Sequence, residues 1–186
     1  MENLHFTPED FADYASSYIS KEFLSTVANF EGFRESAYKC PSGVSTIGFG
    51  HTSRICTEKY GLKVTLDIAK ATLHEDLLNV FSSITSIFPS FPLLPECYRN
   101  MLIDLGFNCG TSNFSKNYTE LHCYVAKFIA IFSKKHNVLS STCDNLLLIV
   151  LRYSYSDGRF LTGLQRRRYH YVKHCILWHE KNGYLK

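Results

Sequence analysis

Apolar positions along the chain follow a helical period, switch once to strand-like alternation, and then return to helix. Phe23, Val27 and Phe30 share one face of a helix predicted over 21–30, with Ser20 as its cap and Gly32 as its stop. Ahead of it, Thr7-Pro8-Glu9-Asp10 supplies a capping hydroxyl, a first-turn proline and first-turn acids, which predicts a helix to about Ile19. Residues 37–39 and 44–49 read as strands around the turn residues Pro41-Ser42-Gly43. Gly48 and Gly50 bracket Phe49, a pattern that marks a bulge or a close backbone approach. Residues 52–63 read as a loop or a short further strand.

Thr65 caps a long amphipathic helix predicted over 66–81, with Leu66, Ala69, Leu73, Leu77 and Val80 in its stripe. A proline-punctuated bend, Phe88 to Pro95, leads into a helix with Tyr98, Leu102 and Leu105 inward and Gly110 at its end. Two further helices are predicted over 118–135 and 142–155. Asp157-Gly158 and Thr162-Gly163 punctuate the next connection, and a last helix covers 164–179. The class is α+β, mostly helical, with one small antiparallel β element next to Glu31.

With 186 residues, 45% hydrophobic and 20% charged, the chain can bury a sizeable core and does not have a disordered composition. A net charge of +3 implies no nucleic-acid partner. Charge is uneven: residues 1–40 hold seven acids against three bases, and residues 152–186 hold eight bases against two acids. Within Arg166-Arg167-Arg168, one member is expected to pack and the others to face solvent. Seven cysteines in scattered spacing, with no C-x-x-C, argue against a zinc site and against a disulfide framework. No basic stretch followed by an apolar one opens the chain, and its longest apolar run, Leu146 to Leu151, is far short of the ~20 residues that span a bilayer. The expectation is synthesis in the cytoplasm without a signal peptide, no stable membrane insertion, no metal and no cofactor.

The chemistry gathers around Glu31. Eight residues separate it from Cys40, and five separate Cys40 from Thr46. A helix end followed by a tight hairpin brings three such side chains to one cleft. A carboxyl that keeps its proton near neutral pH can protonate a glycosidic oxygen, and a group on the opposite side then holds or activates water, or acts as nucleophile. The Thr46 hydroxyl suits water placement. A free thiol at position 40, with an ordinary pKa of ~8.5, is mostly protonated at neutral pH. It serves as a nucleophile only if its pKa is lowered; otherwise it orients water or is simply buried.

This stretch resembles the phage-type lysozymes, glycoside hydrolase family 24, whose motif is Glu, eight residues, Asp or Cys, five residues, Thr. Here these are Glu31, Cys40 and Thr46, flanked by Glu31-Gly32, Ala37-Tyr38, Cys40-Pro41-Ser42-Gly43-Val44 and Thr46-Ile47-Gly48-Phe49-Gly50-His51-Thr52. Phe107-Asn108-Cys109-Gly110, Asn113-Phe114, Arg152-Tyr153 and Gly163-Leu164-Gln165-Arg166-Arg167-Arg168 are similar to later family motifs, so the likeness covers about residues 20–178. It implies a lysozyme-like fold of two lobes joined by a long helix. On this division, residues 1–20 form an N-terminal helical extension and 21–186 the catalytic domain, with a β-containing lobe at about 30–65, a linking helix at about 66–81 and a helical lobe at about 82–186.

The resemblance also implies cleavage of the β-1,4 bond between N-acetylmuramic acid and N-acetylglucosamine in peptidoglycan. Glu31 would be the general acid and Thr46 would place the water. Gly50, Thr52, Phe107 and Asn117 would line the glycan cleft, and His51 would form a structural pair with Asp76. The implied partner is the peptidoglycan glycan strand, met by a monomer that a holin or secretion machinery delivers. A lytic transglycosylase of the same fold and a non-catalytic peptidoglycan-binding protein are the alternatives. Thr46 argues against the first, and the intact Glu31 and Thr46 against the second.

Overall fold

The computed structural model describes residues 4–39, 44–52, 63–115, 119–133, 140–156 and 158–182. It is mostly helical. In order, the elements are α1 (Lys21–Glu31), β1 (Arg34–Lys39), β2 (Ser45–Gly48), α2 (Leu66–Ile87), α3 (Glu96–Cys109), α4 (Ser112–Ser115), α5 (Glu120–Ser133), α6 (Ser140–Arg152), β3 (Tyr155–Ser156), β4 (Arg159–Phe160) and α7 (Thr162–Lys181). The chain divides into two compact units, Met1–Asn79 and Val80–Lys186, and α2 is continuous across the division.

In the first unit, β1 and β2 pair antiparallel with Arg34 opposite Gly48, Tyr38 opposite Thr46 and Lys39 opposite Ser45, and a register shift lies between Arg34 and Tyr38. The amide of Val64 donates to Glu35 O, so the chain entering α2 runs beside β1. The expected N-terminal helix is a shorter 3-10 helix, Pro8–Tyr14. It stops early because serines take over the backbone: Ile19 N–H donates to Ser16 Oγ, and Ser20 Oγ turns to cap α1 by accepting from Phe23 N–H. Residues ahead of α1 belong to this unit's core. Asn29 clasps the backbone of Phe6 through two 2.8 Å hydrogen bonds, and the Phe6, Phe11 and Phe33 rings surround Phe49 at 5.1, 6.2 and 5.6 Å. Phe11, Leu24, Val27, Leu73 and Leu77 are essentially sealed from water.

The second unit packs α3 against α7 and α5 against α6. Tyr98, at the centre, lies 4.3 Å from the Phe128 ring, and its hydroxyl is hydrogen-bonded to His179 Nε2 at 2.5 Å. Gly106 sits inside α3 because a Cβ there would fall 2.8 Å from Val80 Cγ1 and 3.3 Å from Phe114. That close approach justifies a residue that costs a helix interior about 1 kcal/mol. A second β element, the β3–β4 hairpin, was not expected from sequence; Tyr155 and Phe160 pair across it with rings 5.3 Å apart. Of the described cysteines, Cys143 and Cys175 are buried, Cys97 and Cys109 half-buried and Cys123 exposed. No described helix is long and apolar enough to cross a membrane.

Candidate active site

Glu31 is the last residue of α1. The amide of Gly32 closes the helix on Ala28 O, so the chain leaves directly into β1 with the Glu31 side chain half-buried. Beyond β2 the chain folds back at once. Ile47 and His51 exchange backbone hydrogen bonds of 3.0 Å each way around Gly48-Phe49-Gly50. Gly48 (φ +64°) and Gly50 (φ +86°) take left-handed conformations that only glycine adopts readily. Phe49, 2% exposed, anchors the loop in the aromatic core. The result is a backbone pressed against the candidate acid: a Cβ on Gly50 would lie 3.0 Å from Glu31 Oε2 and 3.4 Å from its Cδ.

The loop is fixed on its other side by α2. His51 Nδ1 and Asp76 Oδ2 are 2.7 Å apart, both about one-fifth exposed. A Cβ on Gly48 would lie 3.2 Å from Ala69 Cβ. Thr46 is 4% exposed, and its hydroxyl donates to Val44 O at 3.2 Å. Thr52 is exposed. Cys40 and Asn117 lie outside the described residues. Phe107, in the second unit, is half-buried on the last turn of α3. Among the described residues no group of three or more His, Cys, Asp or Glu side chains is placed to hold a metal ion.

One polar cluster in the second unit was not anticipated. Asp104 is fully buried on α3, and both Arg167 and Arg168 of α7 point to it. The arginine run therefore buries two members, at 5% and 1% exposure, and exposes only Arg166. The signal was present: Asp104 interrupts the apolar run from Met101 to Gly106, and a carboxylate on an inward face needs a buried cation.

The comparisons place the chain among known proteins. The phage lysozyme family model matches residues 28–170. A SAR-endolysin of Haemophilus phage HP1 is 28% identical over 153 residues, 81% of this chain and 76% of that protein. The active form of the P1 phage endolysin Lyz superposes with a TM-score of 0.64 at 20% identity, covering 91% of this chain and 88% of that one. The muramidase domain of SpmX from Asticaccaulis excentricus gives a TM-score of 0.57 at 23% identity, covering 83% and 95%. The two-stranded sheet beside α1, the helical remainder and a family match across most of the chain lead to one conclusion: the chain belongs to the phage lysozyme family.

Proposed function

We propose that the chain is a muramidase in which Glu31 protonates the glycosidic oxygen of the β-1,4 bond between N-acetylmuramic acid and N-acetylglucosamine. The broader reaction class, peptidoglycan hydrolysis by a lysozyme-type glycosidase, comes with the family. The observation that carries the finer reading is the Glu31 carboxylate held against the backbone of Gly50. A general acid works only when fixed within hydrogen-bond reach of the leaving oxygen, and a rigid glycine loop supplies that fixing without a competing side chain.

On this reading Cys40 and Thr46 place or activate the hydrolytic water, and His51 with Asp76 holds the loop. Gly50, Thr52, Phe107 and Asn117 line the glycan groove. The catalytic domain is residues 21–186, and residues 1–20 form an N-terminal segment that buttresses the Glu31 unit through Phe6 and Phe11. The enzyme acts as a monomer on the cell wall, and a holin or secretion machinery brings it there. The test is mass spectrometry of purified peptidoglycan digested by the wild type and by Glu31→Gln. Reducing muramic ends from the wild type alone are expected. Anhydro-muramic ends would make it a transglycosylase instead, and full activity in Glu31→Gln would remove Glu31 from the reaction.

A further inference from the structure

Asp104 needs only one guanidinium, and it has two. Arg167 alone reaches both carboxylate oxygens: its Nε–H is shared between Oδ1 at 2.9 Å and Oδ2 at 3.0 Å, and Nη2 lies in ion-pair range, 2.7 Å from Oδ1. Arg168 adds a second buried cation, with Nη1 donating to Oδ2 at 2.9 Å. A second desolvated charge on a satisfied carboxylate is costly, so its other contacts identify its use. Its other terminal nitrogen, Nη2, reaches outward. It donates to Asn108 Oδ1 and lies 3.3 Å from Cys109 Sγ. Asn108 is exposed, whereas Asp104 is completely buried. Arg168 is therefore a strut from the core of the second unit to the surface at the end of α3. From the other side, Asn113 Nδ2 donates to Cys109 O at 3.1 Å, so the same turn is held twice.

We propose that Arg168 is a positioning residue for glycan binding: seated on Asp104, it fixes Asn108 and with it the last turn of α3, which carries Phe107. This rests on the reading that Phe107 lines the glycan groove. Arg167 provides the internal control, because it shares the carboxylate and the burial, while the hydrogen bonds to Asn108 and Cys109 come from Arg168.

The experiment compares Arg168→Lys and Arg167→Lys by thermal melting and by steady-state kinetics on soluble glycan strands. A lysine has one ammonium and cannot span Asp104 and Asn108 together. Both variants should melt lower. Only Arg168→Lys should raise KM, by roughly tenfold, with kcat within about twofold of the wild type, as expected for a displaced binding segment. Asn108→Asp keeps an acceptor for the strut and Asn108→Ala removes it. KM should stay near the wild-type value in the first and rise in the second, which carries the test should Arg168→Lys fail to fold. Parallel losses in the two lysine variants, tracking melting temperature, would overturn the positioning role. So would equal KM values for Asn108→Asp and Asn108→Ala. A wild type that neither binds nor cleaves glycan would overturn the muramidase reading, and this inference with it.

Discussion

At Gly50 a single added atom would meet the proposed acid. An alanine there would have to keep φ near +86° and would bring its methyl to 3.0 Å from Glu31 Oε2. The left-handed conformation alone costs an L-residue about 1–2 kcal/mol. The contact adds a second effect, because the Glu31 carboxyl must give way by a few tenths of an ångström, and on the proposed reading of Glu31 as the general acid that moves it from the oxygen it would protonate. Gly50→Ala is expected to lower stability by about 1–2 kcal/mol and kcat by more than tenfold, on the order of what a misplaced catalytic group costs. Denaturant melts beside initial rates on peptidoglycan check this. A variant that loses stability but keeps kcat would show that the acid does not depend on this contact.

At the scale of elements, the same loop is clamped to α2 by His51 and Asp76, half-buried at 2.7 Å. Asp76→Asn should destabilise by about 1–2 kcal/mol, the worth of a partly exposed charge-assisted hydrogen bond. A double-mutant cycle with His51→Ala in urea melts should show coupling of at least about 0.5 kcal/mol, and strict additivity would mean the two side chains do not act as a pair. Elements of this size were readable in the sequence where an apolar stripe persisted. The helix expected over 21–30 is Lys21–Glu31, and Tyr98, Leu102 and Leu105 are all buried on α3. The helix expected to stop at 81 runs to Ile87. Ser82, Ser83, Thr85 and Ser86 resemble a loop, but they lie off the stripe that continues through Ile84, and the Thr85 hydroxyl bonds back to Phe81 O. Strands of two residues, as in β3 and β4, are too short to show any period. Asp104 in its apolar run showed locally that a buried cation was needed, but its partners lie more than sixty positions away, so local pattern could not say which residues supply it.

At the scale of the whole molecule, burial of histidines makes stability depend on pH. His74 in the first unit, and His170 and His179 in the second, all have pKa values depressed below the ordinary 6.5, burial being the leading cause in each. For His170 the neighbouring His174 works in the same direction, while Asp104 opposes it. His179 shows the structural setting most directly: its Nε2 is hydrogen-bonded to the Tyr98 hydroxyl inside the core, where a charged ring is costly. The folded state therefore holds fewer protons on these rings than the unfolded chain does. Stability is fully present above 6.5, falls as pH drops through that value, and levels off only below the folded-state pKa values. The slope is at most about 1.4 kcal/mol per pH unit for each histidine. Two carboxylates act below this window. Glu9 and Asp10, held low by Lys21 and by Thr7, release their contribution only at pH values below the ordinary 4.5 and 3.8. Thermal melts at pH 7.5 and 5.5 should show a clear loss at the lower value. His179→Gln, which keeps a hydrogen-bonding partner for Tyr98 but cannot take up a proton, should melt with a shallower dependence on pH. An unchanged slope in His179→Gln would place the titration elsewhere, and a flat wild-type profile would mean that the buried rings cost nothing to protonate.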